Sequence, residues 1–496
     1  MKKNIFYSII FILLSFSNVL AVDSQIVTGK NGKDLFNFKF FDKGEEAEDF
    51  NGSKISTYTL NSEEKKAVLD AGKYWSEILN TDNALLSTIN VYTLNDANAY
   101  ATSTIVKEGD AKGMMELQAK ILGKSFNPYL GEAVATIGIG IMGFKTGTPS
   151  NLPNAEGVNL YGTIVHEIAH TLGIMSTANF YEDEKFRFGD VLSNFDKGLI
   201  DNNDRKISDT TGISYIDNNG NLIGNPETDF DASANVYFVG KNVDEVLKNS
   251  SLEGVPVNVG LEGYYDELPP APELSHLEMD RGLMSHQTYR SYTTFMEAEL
   301  AVLQDIGYSI DRRNFFGYSV YRNDLTIDNY NGYFLRDEKG EKYITGKYNT
   351  ASYGVGLHVY GSRNNIFQKA DLLTSGVAGI GIRIDGVGNK ITVDKGIKVN
   401  ADGDYGTGIL VAYGKEHNIT NNGEIKARGN QGIGVRFDFG NNTLGKDWAY
   451  IGSYILSLYG EDCSKSEDLE YVKINGLKPD EINGALVENF NTSGYI

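Results

Sequence analysis

The chain has 496 residues, 45 basic and 66 acidic, for a formal net charge of −21. That balance argues against nucleic acid and anionic lipid as partners. The single cysteine, Cys463, excludes an intramolecular disulfide, and the length allows two or more domains.

Residues 1–21 read as a secretory signal peptide. Lys2 and Lys3 make a basic start, Ile5 to Phe16 is an apolar run, and Val19-Leu20-Ala21 ends in small-residue cleavage chemistry. The run is too short to span a bilayer comfortably, and no other long apolar stretch exists, so no integral helical membrane span is expected. The expected location is secreted or on a bacterial cell surface. Residues 22–55 are polar and Gly-rich around Phe36, Phe38, Phe40 and Phe41 and read as a short leader or a first strand. Ser62 to Asn80 reads as a helix. Ser62 is placed to cap it, Glu63 and Glu64 fill its first turn, and Val68, Leu69, Trp75, Ile78 and Leu79 make one apolar stripe. Asn90 to Leu94 and Ala133 to Met142 read as strands.

The next segment carries chemistry. His166-Glu167-Ile168-Ala169-His170 reads H-E-x-x-H inside an apolar helix expected over Val158–Leu172. Residues four apart share a helix face, so both imidazoles can point at one metal ion. Glu167 stands next to His166, placed to act as a base without being a ligand. The bland alternative is a helix with a chance histidine pair, but a buried His/His/Glu group needs partners, and a metal ion would be one. Gly173 is a natural helix stop. A third ligand is required, because catalytic zinc is held by three protein groups. The segment up to Gly173 resembles the H-E-x-x-H-x-x-G-x-x-H pattern of metzincin-type peptidases, in which a third histidine would stand at position 176; here that residue is Ser176. The other histidines are His276, His286, His358 and His417, and the last two fall among Gly-rich repeats. His276 and His286 remain as candidates.

Residues 177–272 form an acidic insertion rich in Asn and Asp. Asp201-Asn202-Asn203-Asp204 and Asp217-Asn218-Asn219-Gly220 are candidate Ca2+ ligands, and Asx turns explain them equally well. Beyond the insertion, Leu274-Ser275-His276-Leu277-Glu278 is followed by Gly282-Leu283-Met284-Ser285, and then by Glu297 to Tyr308.

Together with His166-Glu167-x-x-His170-x-x-Gly173, these segments resemble a leishmanolysin-like metzincin. In that group a Ser-His element after a long insertion carries the third histidine, and a Met-turn follows. Tyr237 to Asn242 and Gly254 to Val257 stand in matching order. The resemblance covers about residues 55 to 310. It implies an α+β zinc peptidase domain over 22–312, with His166, His170 and His276 as zinc ligands. Glu167 would be the general base, Met284 the Met-turn residue, and a protein or peptide the substrate. The His276-to-Met284 spacing is shorter than in the family and puts the loop geometry in question. His286, two residues past Met284, is a candidate extra ligand or transition-state donor; the alternative is an exposed loop histidine. The resemblance also makes the strand at Ala133–Met142 a rim that binds substrate by strand addition, with a plain core strand as the equal alternative.

After Tyr308 four elements repeat. Gly354-Val355-Gly356-Leu357, Gly379-Ile380-Gly381-Ile382, Gly406-Thr407-Gly408-Ile409 and Gly432-Ile433-Gly434-Val435 recur at nearly constant spacing, with Gly and Asn turns between them. A short strand at a fixed period is the signature of an all-β parallel β-solenoid, expected over 313–496. Ile482 to Phe490 reads as one more rung. His358 and His417 fall at different places in their repeats, which speaks against a histidine ladder. This half resembles the passenger β-helix of autotransporters; no barrel strands are legible up to Ile496, which leaves three readings open: a fragment of a longer chain, one half of a split gene with a separate outer-membrane translocator as partner, or a protein exported by another route. Because solenoid rungs contact mainly their neighbours, residues 22–312 are expected to fold alone. The leading functional expectation is a secreted or surface zinc metalloendopeptidase. The alternative is a non-catalytic surface adhesin or structural passenger, which Ser176 keeps open.

Overall fold

The N-terminal aromatic run is strand, and its phenylalanines are buried. β1 (Asp23–Thr28) and β2 (Asp34–Phe40) form an antiparallel pair, and Phe36, Phe38 and Phe40 sit in the core. In this computed structural model the described residues are 22–95, 99–140, 160–181, 183–263, 268–279, 282–285, 295–411, 416–437 and 487–496, with the backbone of four short strands between 442 and 471. The expected signal peptide, His286 and Cys463 lie outside the described residues.

α1 (Ser62–Ile78) begins one residue earlier than its sequence suggests. Asn61, not Ser62, is the cap: its side chain accepts from the Glu63 and Glu64 backbone, and Glu64 reaches back to the Asn61 N–H. The sheet adds β3 (Ser87–Thr93), β4 (Tyr100–Thr102) and β5 (Ala133–Ile139), in the spatial order β1-β2-β3-β5-β4. β2, β3 and β5 run parallel, and β4 pairs antiparallel to β5. All of β5 is buried, so the strand expected at a cleft rim is interior, and β4 is the edge on that side. The apolar stripe of α1 packs on the motif helix α2 (Leu160–Thr171), where Trp75 donates its indole N–H to the Val165 carbonyl at 3.1 Å. This half is α+β. No helix among the described residues is long and apolar enough to cross a membrane.

From Phe316 onward the main strands stack in three parallel sheets. Phe316–Val320, Val355–Val359, Ile380–Ile384, Thr407–Val411 and Ile433–Phe437 stack as a first sheet. Thr326–Asn329, Asn365–Gln368, Lys390–Val393, His417–Asn421 and Val487–Thr492 form a second, and the last of these is the extra rung expected near the C-terminus. Leu372–Thr374, Lys398–Ala401 and Glu424–Lys426 form a third. Leu357, Ile382 and Ile409 stack in the interior with Ile366, Ile391 and Ile419 and with Leu372, Val399 and Ile425. The repeated inner glycine is steric. A Cβ on Gly381 would lie 2.4 Å from Val399 Cγ1 and 2.5 Å from the Gly408 carbonyl oxygen.

The turns of the second sheet carry a polar ladder. Leu325 N–H donates to the Asn364 side chain, Asn364 N–H to Asn389, and Asn389 N–H to His417 Nδ1, at 3.0, 2.9 and 3.2 Å. His417 therefore occupies the asparagine place of its rung. A solvent-excluded corner needs an acceptor for each N–H, and either side chain provides one.

The two halves share a core. One apolar cluster joins Trp75, Tyr161 and Met296 to Phe316, Tyr321, Val355, Ile380 and Leu410. Tyr353 packs edge-on to Tyr74 at 5.1 Å and stacks with Tyr161 at 6.5 Å. The outer face of the first solenoid sheet is thus a wall of the α+β half, and the expectation that rungs contact only one another holds poorly here.

Candidate metal centre

The H-E-x-x-H segment lies on α2, where His166, Glu167 and His170 are 3, 8 and 7 % exposed. The helix ends as the glycine predicts: Gly173 has φ of +115° and donates its N–H to the His170 carbonyl at 2.9 Å. The chain then turns through Ser176. Its hydroxyl donates to the buried Asp196 carboxylate at 2.8 Å, and its N–H donates to Ser275 Oγ at 3.0 Å. Ser176 is therefore no ligand. It fastens the segment that brings the third histidine.

That segment is held by an isolated antiparallel β-bridge. Val257 bridges Leu277, Asn258 N–H donates to the His276 carbonyl, and Glu278 N–H donates to the Pro256 carbonyl. Val255–Val257 in turn pairs with Val236–Phe238. The insertion thus supplies the ladder on which His276 rides. His276 Nε2 lies 3.1 Å from His166 Nε2, which lies 3.1 Å from His170 Nε2. Among the described residues, these three histidines are the one group of three or more His, Cys, Asp or Glu that could hold a metal ion.

The outward nitrogens fix the chemistry of the inward ones. His166 Nδ1 faces the Leu283 carbonyl at 2.7 Å, His170 Nδ1 the Ile174 carbonyl at 2.7 Å, and His276 Nδ1 the Glu273 carboxylate at 2.8 Å. Each partner accepts, so each Nδ1 holds the proton and each Nε2 is the basic nitrogen. Basic nitrogens at 3.1 Å repel unless a proton or a cation lies among them. Tetrahedral zinc with Zn–N near 2.0–2.1 Å would set its nitrogens about 3.3 Å apart. The donor set and its spacing fit such an ion, and so does the outer ring of carbonyl and carboxylate acceptors.

The local field is negative. Burial would raise the Glu273 carboxyl, but the charge and hydrogen bond of His276 outweigh it and hold the group at about 2. Burial would lower His276, but Glu273 first, then Glu167 and Glu278, push it up to about 9. A place that favours a proton this strongly also favours a metal cation. Glu167 is among the charges acting on His276, which places it at the same centre.

Met284 is fully buried, and its carbonyl accepts from Leu277 N–H at 3.1 Å, so the chain loops back to the residue after His276. The calcium candidates are tied up otherwise. Asp201 accepts from the backbone of Asn203, Arg205 and Asp231 and pairs with the Arg205 guanidinium, and Asp217 accepts from Asn219 and Asn221. These are Asx turns. Sequence reading missed Glu273, although Glu-x-x-His in a loop is a usable signal for a carboxylate that orients a ligand. It also missed Glu299 and the Leu283 carbonyl, for which no local signal exists. Compared with family models, curated proteins and solved structures, the chain matches none.

Proposed function

We propose that this chain is a zinc metalloendopeptidase of metzincin type, secreted or displayed at a bacterial surface on its own β-solenoid. The observation that carries the reading is the convergence of three basic Nε2 atoms with every Nδ1 turned outward to an acceptor. His166, His170 and His276 would hold the ion. When bound, zinc supplies a Lewis acid that polarises a carbonyl and lowers the pKa of water at the open position. Glu167 removes the proton from the attacking water and delivers it to the departing amine. Glu273 keeps His276 in the tautomer that presents Nε2. A protein or peptide is the substrate, and export would use the signal peptide at residues 1–21.

The test is Glu167→Gln beside wild type, with zinc content and hydrolysis of a denatured protein both measured. Hydrolysis should fall by about a hundredfold to ten-thousandfold, the usual contribution of a general base, while zinc stays near one per chain. Equal cleavage by the variant would place the base elsewhere. Wild-type protein that takes up no zinc would overturn the reading and leave the non-catalytic surface passenger.

A further inference from the structure

Helix α3 (Glu297–Asp305) lies next to the loop that ends in Met284. Its Glu299 is fully buried and serves that loop. Glu299 Oε1 accepts from Met284 N–H at 2.9 Å, and Oε2 accepts from Leu283 N–H at 3.4 Å and from Met296 N–H at 2.7 Å. The carboxylate sits against Gly282, where an added Cβ would come within 2.6 Å of Oε1. The carbonyl of the same Leu283 accepts from His166 Nδ1. One peptide unit therefore separates Glu299 from the orienting bond of a zinc-ligand candidate.

The start of α3 is held from the solenoid. Ala298 N–H donates to Tyr321 Oη at 3.0 Å, and Tyr321 follows directly on the first solenoid strand. The Tyr321 ring packs on Tyr360 at 5.1 Å and on His358 at 5.9 Å, both on the next rung. Glu297 is bound by Arg312 and Arg313, at the point where the chain enters the solenoid. Glu299 is thus placed by a helix whose first turn is gripped by another part of the chain.

We infer that Glu299 is a positioning residue for the metal centre and that the solenoid, through Tyr321, sets its place. The solenoid is then a working wall of the site, not a stalk. The inference rests on the zinc reading above. Partners that orient a metal ligand are worth about ten- to a hundredfold in metal affinity.

The experiment uses the full chain, stripped of metal, with zinc affinity read by chelator competition and folding followed by near-ultraviolet circular dichroism. Glu299→Ala should weaken zinc binding about ten- to a hundredfold. Glu299→Gln, which keeps one acceptor oxygen, should recover part of the loss. Tyr321→Phe should weaken it about two- to tenfold, the equivalent of one neutral hydrogen bond. Tyr348→Phe is the control: its hydroxyl accepts from the Asn400 side chain at 2.9 Å within the solenoid, and its loss should leave zinc affinity unchanged. At saturating zinc, Glu299→Gln and Tyr321→Phe should lower kcat with little change in KM. Wild-type affinity in both Glu299 variants overturns the positioning role. Equal losses in Tyr321→Phe and Tyr348→Phe overturn the link through the solenoid. Those results would leave the peptidase reading intact. Wild-type chain that binds no zinc removes both, and zinc binding without hydrolysis removes only the peptidase.

Discussion

The metal centre and the solenoid both bury histidine, and they use it in opposite ways. In the solenoid His417 Nδ1 accepts a backbone N–H, and His358 Nε2 meets the Asp385 carboxylate at 2.8 Å, both inside a packed wall. Each ring there meets a complementary neighbour from an adjacent rung. In the centre, three rings turn their donors outward and bring like nitrogens together. The first pattern sets a donor against an acceptor at each of these contacts, and the second needs a proton or a cation among its nitrogens. What separates a ligand from a structural histidine is therefore the partner of the other ring nitrogen, not burial, since rings of both kinds are buried.

The largest way to break this contrast is to cut the halves apart. A fragment of residues 22–312 loses Tyr321, Tyr353, Val355, Ile380 and Leu410 from the shared apolar cluster or its rim, and Ala298 N–H loses its acceptor. Burial of a large apolar side chain is worth about 1.5–3 kcal/mol, and whole domains are stable by only about 5–15 kcal/mol. The fragment should therefore show no cooperative thermal transition and take up no zinc. A sharp transition with zinc uptake would mean that the halves only touch.

A smaller effect lies inside the solenoid. Gly381→Ala sets a methyl against Val399 and the Gly408 carbonyl, and overpacking of this kind costs about 1–3 kcal/mol. Thermal denaturation of the full chain should detect it, with the zinc content unchanged. An unaltered melting temperature would mean that the rungs can spread, and that the repeated glycine has another cause.

The two halves also differ in how far their sequences reveal them. The solenoid strands of the first sheet were legible because each is written locally, as Gly-x-Gly at a near-constant spacing. The third sheet was not, because Leu372–Thr374 and its neighbours carry no such mark. The first rung was hidden by the hairpin of Leu335–Arg336 with Tyr343–Ile344, which lengthens it. In the α+β half the helix with His166 and His170 was legible, since its periodicity and spacing lie within one element. By its spacing His276 was only a candidate beside His286, and the resemblance named it as the third ligand, because 110 residues separate it from His166 and a bridge to Val257 delivers it. The roles of Ser275 and Glu299 depend on tertiary approach, which periodicity does not encode, whereas Glu273 lies three residues before His276 and was overlooked. The interior place of Ala133–Ile139 stood as one of two equal readings for a related reason: the edge strand Tyr100–Thr102 has three residues and no strong alternation.

The finest test exchanges the two uses of histidine. His417 stands where neighbouring rungs have Asn364 and Asn389, and its required act is to accept one N–H. Asparagine can do the same, as Asn389 does for Asn364 at 2.9 Å. His417→Asn should therefore change stability by less than about 1 kcal/mol, with the remainder coming from lost ring volume. His417→Leu fills that volume but leaves the Asn389 N–H without its acceptor, and should cost about 1–3 kcal/mol. Neither change should alter zinc content. His276→Asn is the mirror case. It keeps a polar group beside Glu273 but removes Nε2, and a site left with two histidines should lose its zinc on mild chelation. Melting curves and metal analysis on the three variants give the answer together. If His417→Asn is as damaging as His417→Leu, the ladder is not the reason for that histidine. If His276→Asn holds zinc as wild type does, the three rings converge for some purpose other than a metal.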